Sequence, residues 1–582
     1  MAINTIDLLK NLTLYRYRKK CFQLTSIKLK IKKMKNKFLF LLVLFAGLEI
    51  AKSQTTNDLS IGFESNSQYY VDDEKTGDFT ESERFRSNNY LKVDYFYSNF
   101  FVGFQAEGYA PNALLNYAPN LDETNIALYY AGYKSEKLEV TAGYFYEQYG
   151  SGLILRSWED RQLGINNALR GAKVKFSPSE NIEFSALYGN QRNGFKVSDA
   201  SIYGFNSEIN LSSILNVDAW FLDLGLSYVG RKEETNNPDF SFNDLTNSFS
   251  GRLSFSNDNF YSSAEFVSKS KDALILFDEV RNVKSGSAFL LDIGYGKKGF
   301  GINATFRRIE NMTFYSDRNN TGNVYNQNLI NYIPALTKQH DYLLTNIYVY
   351  QAQPQFSFQD LSLLKIGEIG GQVDLFYTLK KKTFLGGKYG TKIALNMSYW
   401  AGLNGDYDYL NFDYNSDPLG FGKKYFSDIS IEIRKKWSSD WSSIFYYVNQ
   451  YYNKRYVEET FGNIKTDIFV GETTYKLGNG KSLRFEAQHM WTKDDRKNWI
   501  GGTLEYNLNS KFSIYLNDIY NYGNDDKSNK THYYNLGGSY TRGAQRVALN
   551  YGRQRGGLIC VGGVCRFVPE STGLTANIIL SF

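Results

Sequence analysis

The chain has 582 residues, with 66 Lys+Arg, 60 Asp+Glu and 3 His, a formal net charge of +6 and a hydrophobic share of 42% that includes 47 Tyr and 42 Phe. The positive balance resides in the first 53 residues: without their 12 basic and 2 acidic side chains, 54 basic face 58 acidic residues, a net of −4. No basic stripe or tail remains to hold nucleic acid, and a mean hydropathy of −0.43, with no later apolar run of 18 residues, argues against helical membrane spans.

In chain order, the first element is a leader. Lys35 and Lys37 form a positive start, Phe38–Gly47 is apolar, and Ala51-Lys52-Ser53 places small residues at −3 and −1 before Gln54. That apolar run is too short for a span, which needs about 20 residues. The expected organisation is a non-native extension over 1–33, a signal peptide over 34–53, and a single domain over 54–582.

The rest alternates. Leu138, Val140, Ala142, Tyr144 and Tyr146 oppose Glu139, Thr141 and Gly143, and Phe512, Ile514 and Leu516 oppose Ser513, Tyr515 and Asn517. Period two puts the apolar set on one face of a strand and the polar set on the other. Tight turns are expected at Ser98-Asn99, Lys134–Lys137, Ser177–Asn181, Ser256–Asn259 and Gly296–Gly299, and near Ser212. Further turns fall at Lys380–Gly390, Ser438–Asp440, Gly478–Gly480, Asn507–Ser510 and Arg542–Gln545. With a strand before the first and after the last, they imply an all-β, transmembrane antiparallel barrel of the outer-membrane type. The expected count is about 24 strands (22–26). The count closes only if 340–352 belongs to a long extracellular loop, 310–366, rather than to the wall.

Few residues separate Gln54 from the first strand at Leu59, so no separate N-terminal plug domain is expected, and any plug must come from loops. The chain ends on a strand in which Leu574, Ala576, Ile578, Leu580 and Phe582 share the apolar face. The terminal Phe582 suits a signal read by the barrel-assembly machinery. A soluble propeller fits less well, since no blade-length repeat is present.

Three segments could carry function. The 310–366 loop holds apolar clusters at Tyr332–Leu336 and Leu343–Tyr350, with Lys338 and His340 beside them, and suits equally a constriction or binding surface folded into the pore and a loop packed on the barrel rim for stability. The second segment is Tyr149–Arg161, where Arg156 and Arg161 bracket Trp158, Glu159 and Asp160. Arginine forks can bind carboxylate or phosphate and Trp can stack on a ligand. Such a cluster more often satisfies itself, with the arginines paired to Glu159 and Asp160, and Ala110–Leu121 would pack beside it. The third is Cys560–Cys565, a CVGGVC hairpin in which Gly562-Gly563 fit a type I′ turn. An oxidising compartment and facing strand positions favour a Cys560–Cys565 disulfide, stiffening an apolar tip (Val561, Val564, Phe567, Val568) expected to face water. Asp406, Asp408, Asp413 and Asp417 read as a solvated acidic loop rather than a Ca²⁺ site. His340, His489 and His532 are scattered, and no nucleophile elbow, zinc motif or phosphate loop is present. Neither enzymatic activity, a cofactor nor a metal is expected.

Gly150–Leu153 with Arg156–Arg161, Pro334–His340, Leu385–Thr391 and Cys560–Pro569 together resemble a family of outer-membrane barrel proteins of Bacteroidota. The resemblance runs over most of the mature chain and implies the compartment and fold, with no activity to carry over. Two readings follow for an outer-membrane barrel with periplasmic termini. One is a channel or loop-gated, porin-like transporter for small polar solutes. The other is a loop-sealed scaffold for surface lipoproteins or an assembly or secretion complex. The partners expected are outer-membrane lipids, the barrel-assembly machinery and, in the second reading, surface lipoproteins.

Overall fold

The computed structural model describes residues 59–234, 243–276, 279–319, 325–353, 363, 365–408, 413–460 and 462–582; the leader and the N-terminal extension lie outside them. From Leu59–Tyr70 to Ser571–Ser581 the chain forms a 24-stranded sheet in which each strand pairs with its chain neighbour. The sheet closes where Gly62–Tyr70 runs antiparallel to Gly573–Ser581. Phe582 completes the seam, exchanging backbone hydrogen bonds with Ile61 (2.9 and 3.1 Å). Closure leaves no unpaired edge, which a strand crossing lipid cannot tolerate.

All eleven expected turns separate consecutive strands. At Ser212 the connection contains a one-turn helix, Leu211–Ile214, capped by the Asn210 side chain. The 340–352 segment is no wall strand. It holds a short 3₁₀ turn, Leu344–Asn346, inside the long connection between the strands Phe300–Glu310 and Gly367–Leu379.

The outside of the wall is apolar in register. Phe485, Leu504, Leu516, Leu536, Tyr551, Leu574 and Tyr69 are successive cross-strand partners around the closing sector. All are exposed, between 43% and 59%. Leaving large apolar side chains in water forfeits about 1.5–3 kcal/mol each relative to covering them. A continuous band of this kind is what a bilayer covers.

Candidate functional site

The connections 110–123, 146–168 and 555–570 fold into the lumen, as do the described residues of 311–366. A loop buried there must have its backbone carbonyls satisfied, and the inward polar face of the wall supplies the donors. Arg231 donates to Tyr315 O, Lys269 to Thr313 O and Arg307 to Pro334 O, each at 2.7 Å. Gln191 and Asn167 donate to Leu329 O (2.6 and 2.9 Å). Within the loop, Tyr315 bridges Leu329, and Ile330 N–H donates to Phe314 O (2.9 Å).

Two of those wall cations, Arg231 and Arg307, are themselves paired with carboxylates. Arg307 contacts Glu368 at 2.5 Å, and both side chains are nearly inaccessible to solvent. Glu368 also accepts from the Tyr350 hydroxyl and from Gln353 N–H (2.8 Å). Arg231 and the loop's Arg318 meet Asp272 at 2.5 and 3.1 Å. Arg192 grips Glu107 with both arms of its fork, 3.0 and 2.6 Å. Buried charges of this type demand their partners, because losing one strands the other.

Apolar packing does the rest. Met312, Phe314 and Ile330 pack with Leu153, Ile154 and Leu155 of the 146–168 connection against wall residues such as Ile202, Val229 and Val267. Leu344, Ile347, Tyr348 and Tyr350 pack against Trp400, Tyr446, Val448, Met490 and Trp499. The described residues of the 310–366 loop therefore pack against the inner wall through both of these clusters. At the rim, Tyr348 O–H donates to Asp495 (2.8 Å) and Lys454 pairs with it (3.1 Å). Burial alone would raise the Asp495 carboxyl, but these two partners hold it below the ordinary carboxylate value.

The candidate residues separate into two groups. Arg161 donates to Glu159 (3.1 Å) and to Glu64 on the first strand (2.7 Å), and lies over the Tyr90 ring. The space left beside Glu159, Asp160 and Arg161 is about 20 Å³, room for about one water. Asp160 accepts from Gln162 and Leu163 N–H, both at 2.8 Å. Among the described residues Arg156 makes no carboxylate pair of the kind expected from its spacing; its guanidinium lies over the rings of Trp158 (4.7 Å) and Tyr332 (3.9 Å). The 110–123 connection packs alongside, with Tyr117 O–H donating to Arg161 O.

Lys338 and His340 line a different space, a cavity of about 520 Å³ between the 335–350 segment and the inner wall of the closing strands. His340 sits against Tyr446 and 3.6 Å from Asp428, whose other oxygen accepts from Ser398. The hydroxyl thus serves the carboxylate, not the imidazole. His489 and His532 lie elsewhere, against Tyr522 (2.8 Å) and Asp518 (2.7 Å). The opposite wall of the cavity carries Gln68, Asn517, Asn535, Asn550, Gly552, Gly573 and Thr575. Asn517, Asn535, Gly552 and Gly573 are successive cross-strand partners, as are Asn550, Thr575 and Gln68. Sequence reading missed these amides. They occupy ordinary inward positions of well-formed strands, and nothing local distinguishes them.

Arg553, which also lines the cavity, grips Asp73 (2.7–2.9 Å), and Asp73 accepts in addition from Thr572 (2.7 Å). Burial raises the Asp73 carboxyl, but Lys75 N–H, Thr572 and Arg553 bring it below its ordinary value.

The Cys560–Cys565 disulfide is formed, with Cα atoms 4.0 Å apart, and Gly562 and Gly563 take the positive φ that the turn requires (57° and 79°). Its tip does not face water as expected. Gly563 O accepts from Ala335 N–H (2.8 Å) and Gly562 O from the Tyr332 hydroxyl (2.5 Å), and the Gln339 amide, oriented with its oxygen toward the turn, accepts from both glycine amides (3.3 and 2.6 Å). An extended turn offers unpaired backbone groups, and the 332–339 segment takes them. Of the apolar tip, Val568 is buried and Phe567 stays exposed. The acidic residues of 406–417 continue a wall hairpin, with Asp413 paired to Lys284 and Asp417 accepting from Asn404 (2.5 Å).

The chain belongs to the family of unknown function DUF6029, whose model matches residues 34–582. Among curated proteins none matches significantly. Similar solved structures include the translocation pore of the P pilus usher PapC, at 9% identity and TM-score 0.39 over 90% of this chain and 99% of that one. Another is the siderophore receptor PirA from Pseudomonas aeruginosa, at 8% and 0.39 over 91% and 81%. A BenF-like porin from Pseudomonas fluorescens Pf-5 aligns at 8% and 0.33 over 90% and 97%. At such identities the likeness is one of barrel fold alone.

Proposed function

We infer that the protein is an outer-membrane channel, with both termini periplasmic, plugged by its own loops and gated at one side. The observation that carries this reading is the cavity of about 520 Å³ at the closing strands. Its size falls in the range of small-molecule sites, about 300–1,000 Å³. Its closing-strand side carries neutral amides, a hydroxyl and glycines, which offer both donors and acceptors, while Lys338, Asp341, Asp428, Arg553 and Arg555 bring charge to the rest of the lining. Small polar solutes would pass between this wall and the Lys338–Asp341 stretch, with His340 held aside by Asp428 and Tyr446. The rest of the lumen is packed against the plug by apolar clusters and buried ion pairs, so the cavity offers the path of least rearrangement.

The second reading, a sealed scaffold for surface lipoproteins or a secretion or assembly complex, draws on that same dense packing. Flux separates the two. Liposomes carrying the protein should admit small neutral and zwitterionic solutes, and Asn550→Trp, which fills the cavity from an otherwise intact wall, should abolish the uptake. Impermeable wild-type liposomes would favour the scaffold.

A further inference from the structure

The periplasmic rim is unevenly charged. Three neighbouring turns carry Lys297-Lys298, Lys380–Lys382 with Lys388, and Lys435-Lys436, against a single acid, Asp440. They are adjacent because their strands pair: Phe300 faces Tyr377, Leu379 faces Thr391, and Thr391 faces Lys435. The turns across 134–137, 177–181, 211–220 and 256–259 instead set Lys134 and Lys137 against Glu136, Glu180, Asp218 and Asp258.

The middle basic turn is built, not slack. Lys382 N–H donates to Gly387 O and Gly387 N–H to Thr383 O (2.7 and 2.8 Å), while the Thr383 hydroxyl accepts from Gly386 N–H (3.0 Å). This small hairpin displays Phe384, 99% exposed, and Leu385, 62%. Its direction is fixed by Lys435, whose Nζ donates to Leu385 O (2.8 Å) and to the Thr391 hydroxyl (2.9 Å). Lys435 ends the outward column Ile429, Ile431, Ile433, which is the lipid-facing side of that strand. Trp437 and Trp441, both outward and exposed, lie beside it with ring centroids 5.5 Å apart, tilted to one another.

We propose that this sector is a binding surface for anionic phospholipid of the adjoining leaflet. Phe384 and Leu385 enter the acyl boundary, the two tryptophans lie at headgroup level, and the lysines hold the phosphates. The surface combines what such a lipid requires: an apolar anchor tied to the bilayer side, an aromatic girdle and concentrated positive charge. The inference rests on the membrane seating proposed above and is independent of the gate. An acidic protein would not need the apolar tip turned toward the lipid-facing wall.

The test uses the full chain in nanodiscs of mixed phosphatidylcholine and phosphatidylglycerol, with the lipid retained after release read by native mass spectrometry. The wild type should retain phosphatidylglycerol over phosphatidylcholine, and Lys380→Gln/Lys381→Gln/Lys382→Gln should lower that preference about tenfold or more. Phe384→Ser should shorten retention while keeping the preference. The triple variant changes only exposed turn residues, and its fold is checked by an unchanged unfolding temperature. Equal preference in wild type and triple variant overturns the proposal. Failure of the wild type to insert at all is seen separately, as full protease sensitivity, and removes the membrane seating together with this surface.

Discussion

The inner wall has two kinds of sector. Around Arg192, Arg231, Lys269 and Arg307 the inward residues are charged, buried and committed to plug carbonyls or to one another. Around Asn517, Asn535, Asn550 and Thr575 they are small and neutral and border a cavity. Both sectors obey the same strand alternation and carry the same kind of apolar exterior. The difference lies in what the inward polar face is used for. Charged side chains on that face grip a loop whose described residues form only a short 3₁₀ turn and one isolated bridge, while amides and glycines leave space beside it. In the proposed channel, gripping one side and freeing the other lets one loop serve as both plug and gate.

The sharpest way to break this contrast is to cut the gripping side. Arg307→Ala leaves Glu368 buried with its charge unmatched and should cost about 3–5 kcal/mol, seen as a lower unfolding temperature and a leak in liposome flux. A change confined to Asn535 or Asn550 should leave the unfolding temperature nearly untouched. The hairpin that holds 332–339 from above comes next. Cys560→Ser with Cys565→Ser removes a small ring whose closure is worth about 2 kcal/mol; the expected result is freer gating with the barrel intact, measured as more frequent current transitions.

The smallest effect is that of acid on the rim. Because the Asp73 carboxyl is held below its ordinary value, its grip on Arg553 and Thr572 is complete above the unfolded value. It is lost as pH falls through the lower, folded value. Acidification below about pH 4 should therefore loosen the closing sector, and Asp73→Asn should remove that part of the acid sensitivity.

Much of this architecture is local and could be read from the chain. The alternation of Phe512–Asn517 and the turn residues at Gly296–Gly299 specify strands and reversals within a few positions, and so yield 24 strands. The exclusion of 340–352 from the wall rested on parity alone, and the structure places Leu344, Ile347 and Tyr350 inside the lumen. What could not be read is pairing at a distance. Arg231 finds Tyr315 O across 84 residues, and an inward arginine looks alike whether it grips a loop or lines a pore. The Cys560–Cys565 hairpin makes the same point. Its sequence specifies the turn and the bond, and its apolar tip asks for cover; only the fold identifies 332–339 as that cover.

The most direct measurement is single-channel current with a cysteine placed in each sector, Asn550→Cys at the cavity and Ser248→Cys at a buried wall position paired with Lys269 on the gripped side, each treated with a water-soluble thiol reagent. A gate at the cavity predicts prompt block at Asn550→Cys and none at Ser248→Cys. Equal reaction at both positions, or block only at Ser248→Cys, would contradict it.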